Sequence, residues 1–220
     1  MHINVQNLIN IQKEIKSKII ELNYKDYNPK IIAISKTFNK DHILPLIEYG
    51  HTHFGENKVQ EAIEKWPEIK NKKGEIKLHM VGKLQTNKVK FALQVFDFIH
   101  SVDNIKLAKK ISEEQNKQKL KPKIFIQVNI GNEKQKSGIN KNDLNEFYNF
   151  CKELNLDIIG TMCLPPNDNN SDIYFSEMKK LNESINLNEI SMGMSNDYLN
   201  AIEYYSTYLR IGSKIFGERN

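Results

Sequence analysis

The chain has 220 residues, 27% charged and 39% hydrophobic, enough to bury a substantial core and far from the composition of a disordered segment. No apolar stretch approaches the roughly 20 residues that span a bilayer, and Met1-His2-Ile3-Asn4 opens neither a basic region nor an apolar run, so neither a membrane nor a signal peptide is expected. The net charge of +5 comes from lysines that alternate with acids and have no interleaved aromatic platform, so no nucleic-acid partner is expected and an RNA-associated role rests on net charge alone.

Apolar periodicity predicts a helix over 5–22, where Leu8, Ile11, Ile15, Ile19 and Leu22 repeat at spacings of three and four. A strand over 31–35 follows, then a helix near 41–49, a strand at 53–54 and a helix over 57–66. Next come a strand over 77–81, a helix over 86–94, a strand over 96–100 and a helix over 104–118. The fifth strand, 123–129, is the clearest, with a helix over 141–155 behind it. Strands over 158–162, 189–191 and 208–211 complete a set of eight, separated by helices near 171–185 and 197–204. Eight strand–helix alternations with no composition break predict one α/β domain over 1–220, a (β/α)8 TIM barrel with an extra amino-terminal helix.

Ligands of such barrels bind where the strands end, so the residues just after each strand are the candidates: Lys36, Gly55-Glu56-Asn57, Gly82-Lys83, Ser101, Asn129, Met162, the segment 191–195 and Arg210-Ile211-Gly212-Ser213. Lys36 closes the run Ile31-Ile32-Ala33-Ile34-Ser35. Desolvation there would favour the neutral amine that attacks a carbonyl, although a lysine marking a strand end can equally snorkel to water. Ser195 is placed to cap the helix that follows it, and hydroxyl and amide donors at a helix start suit an anion. Gly212 lets the backbone come close. Singly, Ser195 reads equally well as a cap and Gly212 as a turn; together with Lys36 they read as an aldehyde and phosphate site.

Asn57 follows a strand and serves either as a helix cap or as an inward-reaching amide. Lysine supplies almost every positive charge here, since only Arg210 and Arg219 are arginine among 32 basic residues. Arg210 inside a strand-like segment therefore suggests a need for a planar forked donor. His53, His79 and His100 stand isolated, as core histidines would, and no metal site is expected. Cys151 and Cys163 have neither metal nor disulfide spacing, and a reducing cytoplasm is the expected location.

Five blocks in order resemble the pyridoxal phosphate homeostasis proteins: Ile32-Ala33-Ile34-Ser35-Lys36-Thr37, Phe54-Gly55-Glu56-Asn57, His79-Met80-Val81-Gly82-Lys83-Leu84-Gln85-Thr86-Asn87-Lys88, Ser191-Met192-Gly193-Met194-Ser195 and Leu209-Arg210-Ile211-Gly212-Ser213-Lys214-Ile215-Phe216-Gly217. The resemblance implies a barrel similar to the amino-terminal domain of alanine racemase, binding pyridoxal 5′-phosphate as an internal aldimine on Lys36. It further implies that Ser195, Gly212 and Ser213 hold the phosphate, that Arg210 approaches the ring nitrogen and that Asn57 lines the pocket. Gln127-Val128-Asn129, Glu133 and Lys136-Ser137-Gly138 fit the same pattern without an assigned role. An arginine at the ring nitrogen keeps it unprotonated, which suits storage or racemisation better than transamination.

The function this implies is storage, buffering or delivery of the cofactor, with apo-enzymes that use it as partners and a monomer as the expected state. The alternative is a small amino-acid racemase. That reaction needs a second proton carrier, in alanine racemases a tyrosine from an additional β domain across a dimer interface. Ending at Asn220, the chain is expected to lack room for it, and no tyrosine lies in the rim segments, although Tyr198 and Tyr208 are near in sequence.

Overall fold

A computed structural model describes residues 1–73 and 75–218, which leaves Gly74, Arg219 and Asn220 outside the description. Among the described residues eight parallel strands close on themselves in chain order. They are β1 (Lys30–Ile34), β2 (His53–Glu56), β3 (Lys77–Met80), β4 (Phe98–Val102), β5 (Lys123–Val128), β6 (Asp157–Cys163), β7 (Glu189–Ser191) and β8 (Tyr208–Ile211). The ring closes where β8 pairs with β1, Leu209 beside Ile31 and Ile211 beside Ala33. The outer helices are α1 (Ile3–Glu21), α2 (Lys40–Glu48), α3 (Val59–Lys72), α4 (Val89–Val95), α5 (Ile105–Gln118), α6 (Leu144–Glu153), α7 (Ser171–Ser184), α8 (Tyr198–Glu203) and the short α9 (Ser213–Phe216). No described helix is long and apolar enough to cross a membrane.

Strand alternation sorts the apolar residues into two cores. Ile31, Ala33, Leu209 and Ile211 face outward into a large cluster with the helices, including Leu8, Ile11 and Ile15 of α1. Ile32, Ile34, Phe98, Phe125, Met162 and Tyr208 face inward and fill the barrel. Each fully buried side chain of this size stabilises by about 1.5–3 kcal/mol, so a strand slipped by one residue would lose one whole set. The same alternation points Arg210 inward, between the outward Leu209 and Ile211.

Element bounds shift by a residue or more at many ends, and three differences from the sequence expectation stand out. The strand expected over 96–100 is Phe98–Val102, because the Phe96 amide still donates to Ala92 and ends α4. His100 and Ser101 thereby become buried mid-strand residues, and Ser101 leaves the list of rim candidates. The helix expected to stop at 66 continues through Pro67 to Lys72. Beyond β8 the chain turns into α9, which packs on α1.

Candidate functional site

The carboxyl rim encloses a cavity of about 910 Å³, lined among others by Lys36, Asn57, Lys136, Ser195, Arg210, Gly212 and Ser213. The six residues to which the resemblance gives a role, Lys36, Asn57, Ser195, Arg210, Gly212 and Ser213, thus meet at one place, whereas the rim candidates Gly55, Glu56, Gly82, Lys83, Ser101, Asn129 and Met162 do not line it. Volume and a few convergent polar groups suit a small-molecule ligand.

Lys36 sits half-buried in the turn directly after β1. Its neighbours are clamped. The Ser35 hydroxyl donates to Glu56 Oε1 at 2.8 Å, and the Thr37 amide donates to Glu61 Oε1 at 2.6 Å. Lys65 Nζ ties the pieces together, donating to the Ser35 carbonyl at 3.0 Å, to Glu56 at 2.9 Å and to Glu61 at 2.8 Å. Thr37 is held at φ 71, a left-handed conformation that a β-branched residue adopts only under such constraint. Burial raises the Glu56 pKa even though Lys65, Trp66 and Ser35 all act to lower it, which shows how dry the position is. Glu61 is held below its ordinary value, with the Lys65 and Thr37 hydrogen bonds outweighing burial.

Asn57 follows β2 and does not cap a helix: α3 begins at Val59 behind Lys58, with no side-chain cap. Gly82 explains its placement, since a Cβ there would lie 2.3 Å from the Asn57 carbonyl oxygen. Ser195 departs from its expected role in the same way. The α8 cap position belongs to Asp197, whose Oδ1 accepts from the Met194 amide at 2.6 Å. Ser195 Oγ instead accepts from the amides of Gly212 and Lys214, at 3.3 and 3.4 Å, at the start of α9. Those contacts are long, so the amides can turn to a stronger acceptor, and the serine keeps its own proton to donate.

Arg210 is buried on the inner face of β8. It donates through Nη1 to Ser191 Oγ at 2.6 Å and through Nη2 to the Cys163 carbonyl at 2.8 Å. Burial lowers its pKa, with Cys163 and Asp197 acting the other way. The Cys163 thiol is itself pushed up to about 12 by burial, which leaves it inert.

The histidines correct the sequence reading most sharply. They are not isolated: His53 Nδ1 lies 2.9 Å from His79 Nε2, His79 Nδ1 is 2.9 Å from His100 Nε2, and His100 Nδ1 is 2.9 Å from Ser191 Oγ. The three come from consecutive strands, and inward residues of neighbouring strands stack in a barrel interior. Among the described residues no cluster has the makings of a metal site.

Burial brings His51 and His53 down to about 4, with Lys30 and Lys77 adding repulsion at His53, and it takes His79 and His100 well below the ordinary histidine range. The unfolded chain protonates His51 and His53 below about pH 6.5, whereas the fold resists until about pH 4. The unfolded state therefore binds more protons across that window, and stability is complete above it and falls as pH drops through it. For His51 alone the loss by pH 4 is about 3 kcal/mol. Urea midpoints should accordingly fall between pH 7 and pH 4.5; equal midpoints would mean these histidines are already charged in the fold.

Sequence reasoning named Lys136 and the segment that holds Ser191 but gave neither residue a role, and it missed the Lys65 clamp. Lys136 Nζ reaches the Pro165 carbonyl at 3.0 Å from a loop that Asn129 braces through the Glu133 amide and carbonyl. Its place in a recurring block was the available signal.

Fold and site together define a (β/α)8 barrel with a polar cavity of small-molecule size, lined by a lysine and an arginine, at its carboxyl rim. The family described as "Alanine racemase, N-terminal domain" matches residues 11–220. A pyridoxal phosphate homeostasis protein of Haemophilus influenzae is 33% identical over 99% of this chain and 97% of its own length. The structure of PipY from Synechococcus elongatus with PLP bound superposes with a TM-score of 0.81 at 30% identity, covering 92% of this chain and all of that one. An alanine racemase of Clostridium difficile shares the fold alone, with a TM-score of 0.72 at 16% identity over 58% of that protein. The chain belongs to the pyridoxal phosphate homeostasis proteins, within the alanine racemase N-terminal domain family.

Proposed function

We propose that this chain holds pyridoxal 5′-phosphate in the rim cavity, with Lys36 as its point of covalent attachment, and so stores, buffers or delivers the cofactor. The convergence of Lys36, Asn57, Ser195, Arg210, Gly212 and Ser213 on one cavity carries the reading. When bound, the cofactor supplies an aldehyde that an amine captures reversibly and a phosphate that needs several donors. The donor set fits. Ser195 has a proton to give, the amides at the start of α9 are only loosely engaged, and Lys36 lines the same cavity. Arg210 would face the ring nitrogen with donors only, and so would favour its unprotonated form.

Storage is favoured over racemisation by where the tyrosines lie. The Tyr198 hydroxyl is engaged by Glu14 on the outer side of the barrel, and Tyr208 fills the barrel interior, so neither lines the cavity to carry a second proton. We take the partners to be apo-enzymes that need the cofactor, the working unit to be a monomeric single domain and the location to be the cytoplasm. The test is the absorption spectrum of the purified chain before and after borohydride reduction, with mass analysis of the modified peptide and racemase assays across several amino acids. A reducible visible band mapped to Lys36 with negligible turnover is the expected result. Attachment elsewhere would overturn the site, and robust turnover would replace storage by racemisation.

A further inference from the structure

Arg210 is almost wholly buried, yet among the described residues it forms no ion pair; the hydroxyl and the carbonyl that it donates to are neutral. A buried charge in that position needs oriented dipoles. The hydroxyl that serves it is the end of a chain crossing the barrel through Ser191, His100, His79 and His53. Every imidazole in that chain turns Nδ1 toward Arg210 and Nε2 away from it.

Two proton arrangements satisfy such a chain, and Arg210 chooses between them. Ser191 Oγ accepts from the guanidinium, and turning its own proton to His100 Nδ1 is the choice that points the lone pairs of the chain toward that charge. His100 must then carry its hydrogen on Nε2 and donate to His79 Nδ1, and His79 likewise donates from Nε2 to His53. The reverse arrangement would aim a second donor at Ser191 and turn the positive end of every dipole toward the guanidinium. Stacking holds the two ring planes, His79 on Phe98 and His100 on Phe125, each with centroids 4.2 Å apart. Burial and the charge of Arg210 both keep His100 neutral.

We propose that Ser191, His100, His79 and His53 form one directional chain of neutral Nε2–H imidazoles whose lone pairs all face Arg210. They act as positioning residues that fix the guanidinium at the cavity without cancelling its charge. A carboxylate in the same place would neutralise Arg210 and favour a protonated ligand ring. The inference rests on the reading of Arg210 as the ring-nitrogen contact and deepens it.

Imidazole ¹H–¹⁵N spectra of the full chain, recorded without and with pyridoxal 5′-phosphate at pH 7, test it directly. The expected result is three neutral histidines, each protonated on Nε2, with the assignment unchanged by the cofactor. In Ser191→Ala the tautomer preference of His100 should weaken and pyridoxal 5′-phosphate should bind about tenfold less tightly. An Nδ1–H tautomer or an imidazolium at His79 or His100 in the unmodified chain overturns the inference, whether or not the variant folds. So does a folded Ser191→Ala protein with unaltered affinity. A chain that takes up no cofactor at all overturns the proposed function instead, while the spectra still decide the tautomers.

Discussion

Replacing Lys36 by alanine should abolish covalent retention of pyridoxal 5′-phosphate while the barrel stays folded. Lys36 lies beyond the last residue of β1, half-buried in a turn, so truncation opens no cavity in either core. Stability should change by less than about 1 kcal/mol. The amine, by contrast, has no substitute in the same position. Lys136 lines the cavity from a different loop, where Glu133 and the Pro165 carbonyl hold its ammonium. The corner proposed to hold the phosphate, at Ser195, Gly212 and Ser213, is untouched in this variant, so weak reversible binding should survive while the reducible absorption band disappears. Equilibrium dialysis beside a visible spectrum separates the two effects. A band that persists in Lys36→Ala would move the attachment point to another lysine.

The larger structural effect is expected one layer below the site. In Lys65→Met the buried Glu56 carboxylate loses its counter-charge. Glu56 Oε1 would still accept from Ser35 at 2.8 Å and Trp66 at 3.0 Å, but its Oε2 is buried with no partner. Stranding one member of a buried ion pair costs about 3–5 kcal/mol. In a chain of this length that corresponds to a fall in Tm of roughly 6–20 °C. Adding Glu56→Gln should recover most of the loss, because the amide removes the unpaired charge; a double variant no better than the single would show that Lys65 matters only for packing. The single variant should also retain pyridoxal 5′-phosphate less well, since Lys65 clamps both Ser35 and Glu61 and thereby the turn that presents Lys36.

The two residue sets differ in how far they could be read from the chain. Lys36, Asn57, Arg210 and Gly212 each lie at or just beyond a strand end, and a parallel barrel gathers all such ends on one rim. Knowing where the strands stop was therefore enough to bring these residues together. Ser195 was found for an incomplete reason. Its hydroxyl does stand at a helix start, but the helix is α9, which follows β8, and not the one that follows it in sequence. The histidines failed in the opposite way. Placing the fourth strand two residues early left His100 at a strand end, whereas its true place mid-strand turns it into the barrel to meet His79 and Ser191.

Apolar periodicity, turn chemistry and the order of eight strands are local properties, and they determine by themselves that the chain folds as a barrel with its chemistry on one rim. The histidine chain and the Glu56–Lys65 clamp are different in kind. His100 meets Ser191 across 91 residues, and Ser35 meets Glu56 across 21. Such contacts depend on the register and closure of the barrel, where a shift of one residue would turn each side chain to the other face. Only the tertiary structure could decide them, because the low-dielectric interior that makes these polar groups seek one another exists only once the ring is closed.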